Sequence, residues 1–592
     1  MKKMIAIVFM LALVFTMCSC AQDVADNDDR MTSQESSAFT ANIDKALAES
    51  GIEEFMIEGG NTPEVLEAIR AEMMKLYGEN GEITGEYDAA LAAKTVSGTY
   101  VGKKDGNGIV SWKGIPFAKQ PVGELRWKAP QAPDPSDKVY EAYYFGHSSL
   151  QVESFDEVSA LYPQGEDCLN LNVWNNTADL SDNKPIMVWI HGGAYIQGGA
   201  VEPEYEGTNF VKNNPEVIYV SIDYRTDIMG FINLTQVPGG EAYKESANLG
   251  LLDQVAALRW IKENAKAFGG DPERITIFGE SAGAGSVSAL TIMPQAKGLF
   301  KRAIMESGAS SNFVRSAEKS IAHTDAIMKA SGAKNMDDLL SLTESDLRKV
   351  ETLMCGGASN FTYPQCDGVV LPINMKEALS SGTRDGIDIL LGTNKNEYNY
   401  FTWVYGKELN YGFMQDIINN YVPKMSDDER VRFEQFEASL TGDEYDTMLE
   451  IVNYVSFHGA NRFEAKTHAE RGQNAYVYFF TEESNNPDLL SYHAFELGYV
   501  FGDIWTDEVK DEEEAWALSR IMQKMWVNFA LTGDPSIKKG DVEGVEAIRW
   551  EKYDVDERKV MVINSKKCGM ETDPIKDNID LIGDLFWAKF RK

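Results

Sequence analysis

Five compact apolar runs punctuate the chain, set apart by longer amphipathic stretches and Gly-rich corners. They are Pro185 to Ile190 (PIMVWI), Val217 to Ile222 (VIYVSI), Ile275 to Phe278 (ITIF), Ile387 to Leu391 (IDILL) and Tyr476 to Phe480 (YVYFF). Runs of this kind suit strands buried on both faces of a mostly parallel sheet. Helical patterns such as Leu251 to Phe268 lie between them. Strand and helix in alternation predict an α/β fold, a mostly parallel central sheet flanked by helices. Ligands of such sheets collect at the carboxyl ends of the strands. The chemistry is therefore expected just after the apolar runs. No internal repeat or low-complexity stretch interrupts this body, which we take as residues 94–592.

Upstream the pattern changes. Lys2 and Lys3 precede an apolar run, Met4 to Met17, with the proportions of a signal-peptide core and too short to span a bilayer comfortably. Ser19-Cys20 resembles a bacterial lipoprotein cleavage box, which makes Cys20 the lipidated residue. The plainer alternative is a cleaved signal with Cys20 free. The expected place is a bacterial cell envelope membrane, reached through Cys20, or otherwise a secreted or periplasmic one. Residues 21–93 read as an acidic tether, Ala21 to Ser37, and a helical extension. In the extension, Ile43, Leu47, Ile52, Phe55 and Met56, then Val65, Leu66, Ile69, Met73 and Leu76, recur at helical spacing. Thr62-Pro63-Glu64 looks like an N-cap with Pro at the first helical position.

Composition narrows the partners. Hydrophobic residues are 43% and aromatics 11% of 592, which supplies a core and excludes a disordered chain. The net charge of −36 argues against nucleic acid, whose binding rests on neutralising phosphates with cations. It also disfavours docking of the folded body on anionic lipid. Six Cys are too few and scattered for a disulfide-stapled domain. Oligomeric state is not readable from the sequence.

The most informative segment is Ile275-Thr276-Ile277-Phe278-Gly279-Glu280-Ser281-Ala282-Gly283. A strand enters a sharp turn, and Ala282 to Leu290 then reads as a helix of small residues. Side chains at Gly279 and Gly283 would strike the neighbouring strand and helix. The turn lifts the Ser281 hydroxyl to a helix N-terminus, where partial positive charge favours a developing anion. A serine hydroxyl needs a base to take its proton. In this type of fold the chain order is Ser, acid, His. Of the six His, only His323, His458, His468 and His493 follow Ser281. His323 and His468 stand in helical, polar surroundings and read as solvated. His458 has no strand immediately before it. His493 follows the YVYFF strand by a loop and fits the base best. Glu397 ends a strand-and-loop segment, Ile389 to Glu397, and is the leading candidate for the group that orients the imidazole. Asp367 and Asp388 are weaker, one in a turn and the other at a strand start. Ile190-His191-Gly192-Gly193-Ala194-Tyr195 matches an HGG-type oxyanion loop, with N–H donors expected from Gly193, Ala194 and Ala282. His191 reads as structural.

Several ordered motifs now make a resemblance. They include Gly114-Ile115-Pro116-Phe117-Ala118, Pro121 to Trp127, Glu166-Asp167-Cys168-Leu169-Asn170-Leu171-Asn172-Val173-Trp174, Asn248 to Gln254, Phe268 to Pro272, Met525 to Ala530 and Thr532-Gly533-Asp534-Pro535. From about Gly98 to Trp550 the chain resembles the type-B carboxylesterase and cholinesterase-like family of α/β-hydrolases. The resemblance implies a Ser–Glu–His triad of Ser281, Glu397 and His493. It implies that Glu280 and Glu496 support the charged imidazole and that Tyr195 lines the substrate gorge. The family's first disulfide would need a Cys where this chain has Ser149 or Leu150, so Cys168 is expected unbridged. Cys355 and Cys366 are close enough to close a loop, and Cys568 has no evident partner. The loop Gln151 to Gly165 is short and lacks the Trp with which cholinesterases hold a quaternary ammonium, which makes choline esters doubtful.

The expected activity is hydrolysis of a small-molecule carboxylic ester through an acyl-enzyme, with no metal and no organic cofactor. Neither HExxH nor CxxC is present, and the six His lack ligand spacing. Two other readings share these features. One is a non-catalytic binding or adhesion module, against which the three intact triad residues speak. The other is acyl transfer to an acceptor other than water.

Overall fold

The computed structural model describes residues 77–151, 162–311, 313–354, 362–585 and 587. Cys20, the acidic tether, both amphipathic helices, Cys355 and most of the loop after Gln151 fall outside the described residues.

The strands are, in chain order, β1 (Ala92–Thr95), β2 (Gly98–Val101), β3 (Lys103–Lys104), β4 (Val110–Pro116), β5 (Val139–Glu141), β6 (Asn170–Asn175) and β7 (Lys184–Ile190). There follow β8 (Ile218–Ile222), β9 (Gly270–Glu280), β10 (Arg302–Glu306), β11 (Asp388–Asn394), β12 (Ala475–Phe480), β13 (Lys559–Asn564) and β14 (Lys567–Thr572). β1, β2 and β5 make a small sheet. The other eleven form one sheet in the order β14-β13-β12-β11-β10-β9-β7-β8-β6-β4-β3. Its centre, from β13 through to β8, is parallel, and the outer pairs are antiparallel.

All five apolar runs are central strands, β7, β8, β9, β11 and β12. Alternate residues enter opposite layers of the core, as strand geometry requires. Ile186, Val188 and Ile190 join one layer, and Met187 and Trp189 the other. Leu251 to Phe268 is helical as expected, starting at Leu249 as α1 (Leu249–Asn264) and ending in a 3₁₀ turn, Ala265–Phe268.

β7 pairs with β8 on one side and β9 on the other. The chain thus runs from β7 to β8 and then crosses back to lay β9 and its successors on the opposite side. The gap between the ends of β7 and β9 is a topological switch point, where open α/β sheets hold ligands. The Gly192-Gly193 loop follows β7, and Ser281 follows β9.

The described part of the N-terminal extension is stitched to the body. Asn80 Oδ1 accepts from the N–H groups of Tyr143 and Tyr144 at 2.8 and 3.1 Å. The Ile83 N–H donates to Val139 O at 2.8 Å.

Two readings need correction. His323 and His468 are buried rather than solvated. His468 Nε2 lies 2.9 Å from Ile387 O. Burial pushes the imidazole of His323 down to about 3 and that of His468 to about 4. Both do lie on helices, Ala317–Ser331 and Gly459–Glu470, but on their inward faces.

Candidate active site

β9 ends at Glu280, and α2 (Ala282–Ile292) begins two residues later. Ser281 makes the join at φ 54°, ψ −121°. L-residues resist this backbone, and such strain persists only where the surroundings over-determine it. They do so here. The Ser281 N–H donates to Glu306 O, and Ser281 O accepts from the Gly285 N–H, both at 2.9 Å. A Cβ on Gly279 would stand 2.5 Å from Ile190 O, and one on Gly283 2.1 Å from the same atom. The corner thus needs glycine on both flanks. Every residue of α2 is buried, which explains its small side chains. Ser281 itself is 8% exposed.

The loop after β7 leans on this corner. A Cβ on Gly192 would lie 3.1 Å from Glu280 O and 3.4 Å from Ser281 Cβ. Gly193, Ala194 and Tyr195 follow with φ of 89°, 53° and 65°. Gly193 O accepts from the N–H groups of Ile196 and Gln197 at 3.0 Å, which closes the loop. Among the described residues no acceptor takes the N–H of Gly193, Ala194 or Ala282. Backbone N–H groups left without an acceptor can meet a developing oxyanion. His191 is a wall residue. Its ring stacks on Tyr224 with centroids 4.3 Å apart, and burial pushes its imidazole down to about 4. Tyr195 is 1% exposed. Its hydroxyl accepts from Ser286 Oγ at 3.0 Å, which ties this loop to α2.

Glu397 and His493 are in direct contact. His493 Nδ1 is 2.7 Å from Glu397 Oε2. Glu397 Oε1 accepts from the Asn394 N–H at 2.8 Å. Both carboxylate oxygens are thereby engaged. Strand register explains the meeting, because Asn394 pairs with Phe480, so the loops after β11 and β12 leave the sheet side by side. Phe457 and Phe401 flank the imidazole, with centroids 4.9 and 5.6 Å from it.

The other imidazole nitrogen, Nε2, lies 3.1 Å from Glu280 Oε1, one residue from Ser281. An anionic Glu280 would hold a proton on Nε2 and compete with the serine for it. Burial, reinforced by the charges of Glu496, Glu397, Glu306 and Glu204, drives Glu280 far above the carboxylate range and favours its neutral form. Ser281 Oγ makes no hydrogen bond among the described residues. Catalytic hydrogen bonds often tighten only when substrate binds.

Glu496 stands further back. Its carboxyl accepts from Ser307 Oγ at 3.0 Å and from the Asn394 side-chain amide. Burial, then the nearby charge of Glu397, pushes it up to about 7. Asn394 thus joins Glu496 to Glu397, its side-chain amide on one and its backbone N–H on the other. The part played by Asn394 was not singled out from the sequence, although it stands in the same motif as Glu397. Asp367 caps a turn by accepting from the N–H groups of Val369, Val370 and Leu371, and Asp388 starts β11, so neither approaches His493. Among the described residues no group of three His, Cys, Asp or Glu side chains is placed to hold a metal ion. Cys168 is a buried free thiol, and Cys568 is also free.

Known proteins share this architecture. The sequence model described as Carboxylesterase family matches residues 89–582. Para-nitrobenzyl esterase of Bacillus subtilis is 35% identical over 505 residues, covering 80% of this chain and 96% of its own. Acetylcholinesterase of Electrophorus electricus is 28% identical, over 84% of this chain and 87% of its own. A solved carboxylesterase of Geobacillus stearothermophilus superposes with a TM-score of 0.73 at 35% identity, covering 83% of this chain and 99% of that one. The likeness thus spans most of the chain, and the protein belongs to the carboxylesterase family, as a serine hydrolase of carboxylic esters with the α/β-hydrolase fold.

Proposed function

We propose that Ser281 is the nucleophile, His493 the general base and acid, and Glu397 the group that fixes the imidazole. The carboxylate of Glu397 accepts the Nδ1 proton, which leaves Nε2 with its lone pair on the side of the serine. His493 takes the Ser281 proton as Oγ adds to the ester carbonyl. The tetrahedral oxyanion is met by the N–H groups of Gly193, Ala194 and Ala282, aided by the N-terminus of α2. Collapse of this intermediate breaks the acyl–oxygen bond, and His493 passes its proton to the leaving alcohol. Water then repeats the sequence on the acyl-enzyme and returns Ser281. The observation that carries this reading is the 2.7 Å contact between His493 Nδ1 and Glu397 Oε2, with the other imidazole nitrogen 3.1 Å from Glu280, the residue before Ser281.

A fluorophosphonate probe tests the assignment, since it phosphonylates only an activated serine. Its adduct is expected on the peptide containing Ser281. Labelling should be lost under acid conditions that protonate His493, because an imidazolium cannot accept the serine proton. His191, His323, His458 and His468 are held near 3 to 4 by burial and are neutral at neutral pH. No adduct, or one on another serine, refutes the assignment.

The relatives' names point to a para-nitrobenzyl ester and to acetylcholine, itself an ester. We take the shared chemistry, a small-molecule carboxylic ester, as the substrate class. We also propose that Cys20 carries a lipid that holds the enzyme on an envelope membrane. The run Met4 to Met17 and the Ser19-Cys20 pair support this. Mass spectrometry of the mature N-terminus should show an acylated Cys20, and an unmodified Cys20 refutes the anchor.

A further inference from the structure

The chain winds unusually beside the Glu397 loop. A helix, Glu444–Asn453, passes through a π-helical turn, Tyr454–His458, into α3 (Gly459–Glu470). π turns are rare and recur at functional sites. In a regular α-helix neighbouring residues point about 100° apart. The wider turn slows that rotation, and three side chains around it reach the loop that carries Glu397 while a fourth reaches His493.

Asn453 Oδ1 accepts the Tyr398 N–H at 2.7 Å. His458 Nδ1 lies 2.9 Å from Thr393 Oγ1. Asn461 Nδ2 donates to Gly392 O at 3.1 Å. The Phe457 ring packs on His493. These contacts grip the loop on both sides of Glu397, at 392 and 393 before it and 398 after it. Thr393 is next to Asn394, whose N–H holds Glu397 Oε1. A displaced Thr393 would therefore carry the carboxylate with it.

We propose that His458 is a positioning residue for the catalytic carboxylate: through Thr393 it fixes the loop that presents Glu397, while Phe457 on the same turn seats the His493 ring. The proposal rests on the triad reading above. The imidazole suits the task because it is uncharged. Burial pushes it down to about 3, and the ring also meets the Lys395 backbone. A buried neutral imidazole is stable there only with its hydrogen bonds made.

The test is His458→Leu, His458→Asn and Thr393→Val, assayed on p-nitrophenyl acetate, with near-ultraviolet circular dichroism to count folded protein. A shift of about 1 Å at a catalytic group costs up to about a hundredfold in rate, so His458→Leu should lower kcat by about ten- to a hundredfold with KM nearly constant. His458→Asn, whose amide can replace the Nδ1 contact, should recover most of kcat. Thr393→Val, which loses only the hydroxyl contact, should lower kcat less and add nothing to His458→Leu. An unchanged kcat in His458→Leu, a loss matching the unfolded fraction, or additive effects would overturn the proposal. If His458→Leu does not fold, Thr393→Val decides: a lower kcat at constant KM supports the proposal, and an unchanged kcat overturns it. Glu397→Gln run alongside separates the two claims. Full activity there removes the triad reading itself, whereas an inert His458 leaves it standing.

Discussion

Ser281→Ala should fold normally and lose ester turnover, with kcat on p-nitrophenyl acetate down by about 10⁴- to 10⁶-fold. The substitution removes one oxygen. It leaves the left-handed corner, the Glu306 carbonyl that receives the backbone N–H of residue 281, and the three amide donors of the oxyanion site. What remains can bind an ester and polarise its carbonyl but has nothing to attack it except water. His493→Ala should be nearly as damaging, and the double variant scarcely worse than either, because nucleophile and base act as one unit. Purified protein, corrected for trace wild type by prior fluorophosphonate treatment, is the material to assay. A Ser281→Ala enzyme that keeps even a tenth of its turnover would place the nucleophile elsewhere.

Glu397→Gln should cost about 10²- to 10⁴-fold in kcat while sparing the fold, the size expected when the imidazole is held in the wrong tautomer. The carboxylate has two acceptor oxygens, one taking the Asn394 N–H and one facing His493 Nδ1. An amide has only one. If its oxygen stays with Asn394, its NH₂ points at Nδ1 and demands a lone pair there. The ring proton then moves to Nε2, and the imidazole cannot accept from serine. If the amide flips, its NH₂ meets the Asn394 N–H and the loop must shift. Either outcome lowers kcat. An enzyme within threefold of wild type would show that Glu397 does not set the tautomer.

The central sheet was legible because its strands are apolar without interruption, as in PIMVWI and YVYFF. β10, on which the serine corner rests, was not. Its sequence RAIME begins and ends in charge. Burial of those ends is made possible by partners distant in sequence: Arg302 Nη1 donates to Ala530 O at 2.9 Å, and the Trp526 indole N–H donates to Glu306 at 3.0 Å. β9 was legible only at its apolar end, since Asp271-Pro272-Glu273 masks its start. The serine corner was readable because glycine is obligatory at 279 and 283, and clashes with Ile190 O explain why. The environments of His323 and His468 were not, because helical spacing shows periodicity without saying which stripe faces the protein. The contact of Tyr195 with Ser286 was not readable either, because packing alone decides where that ring turns. The clasp from the π turn was invisible, since it joins residues more than fifty positions apart through a winding that local propensity does not encode.

The backbone at Ser281 sets durability against speed. Holding an L-residue at φ 54° costs about 1–3 kcal/mol. Glycine at that place would relieve the distortion and silence the enzyme in one stroke. A lineage selected for toughness alone would drift toward such an inert descendant, and a living esterase must recover the deficit elsewhere in its packing.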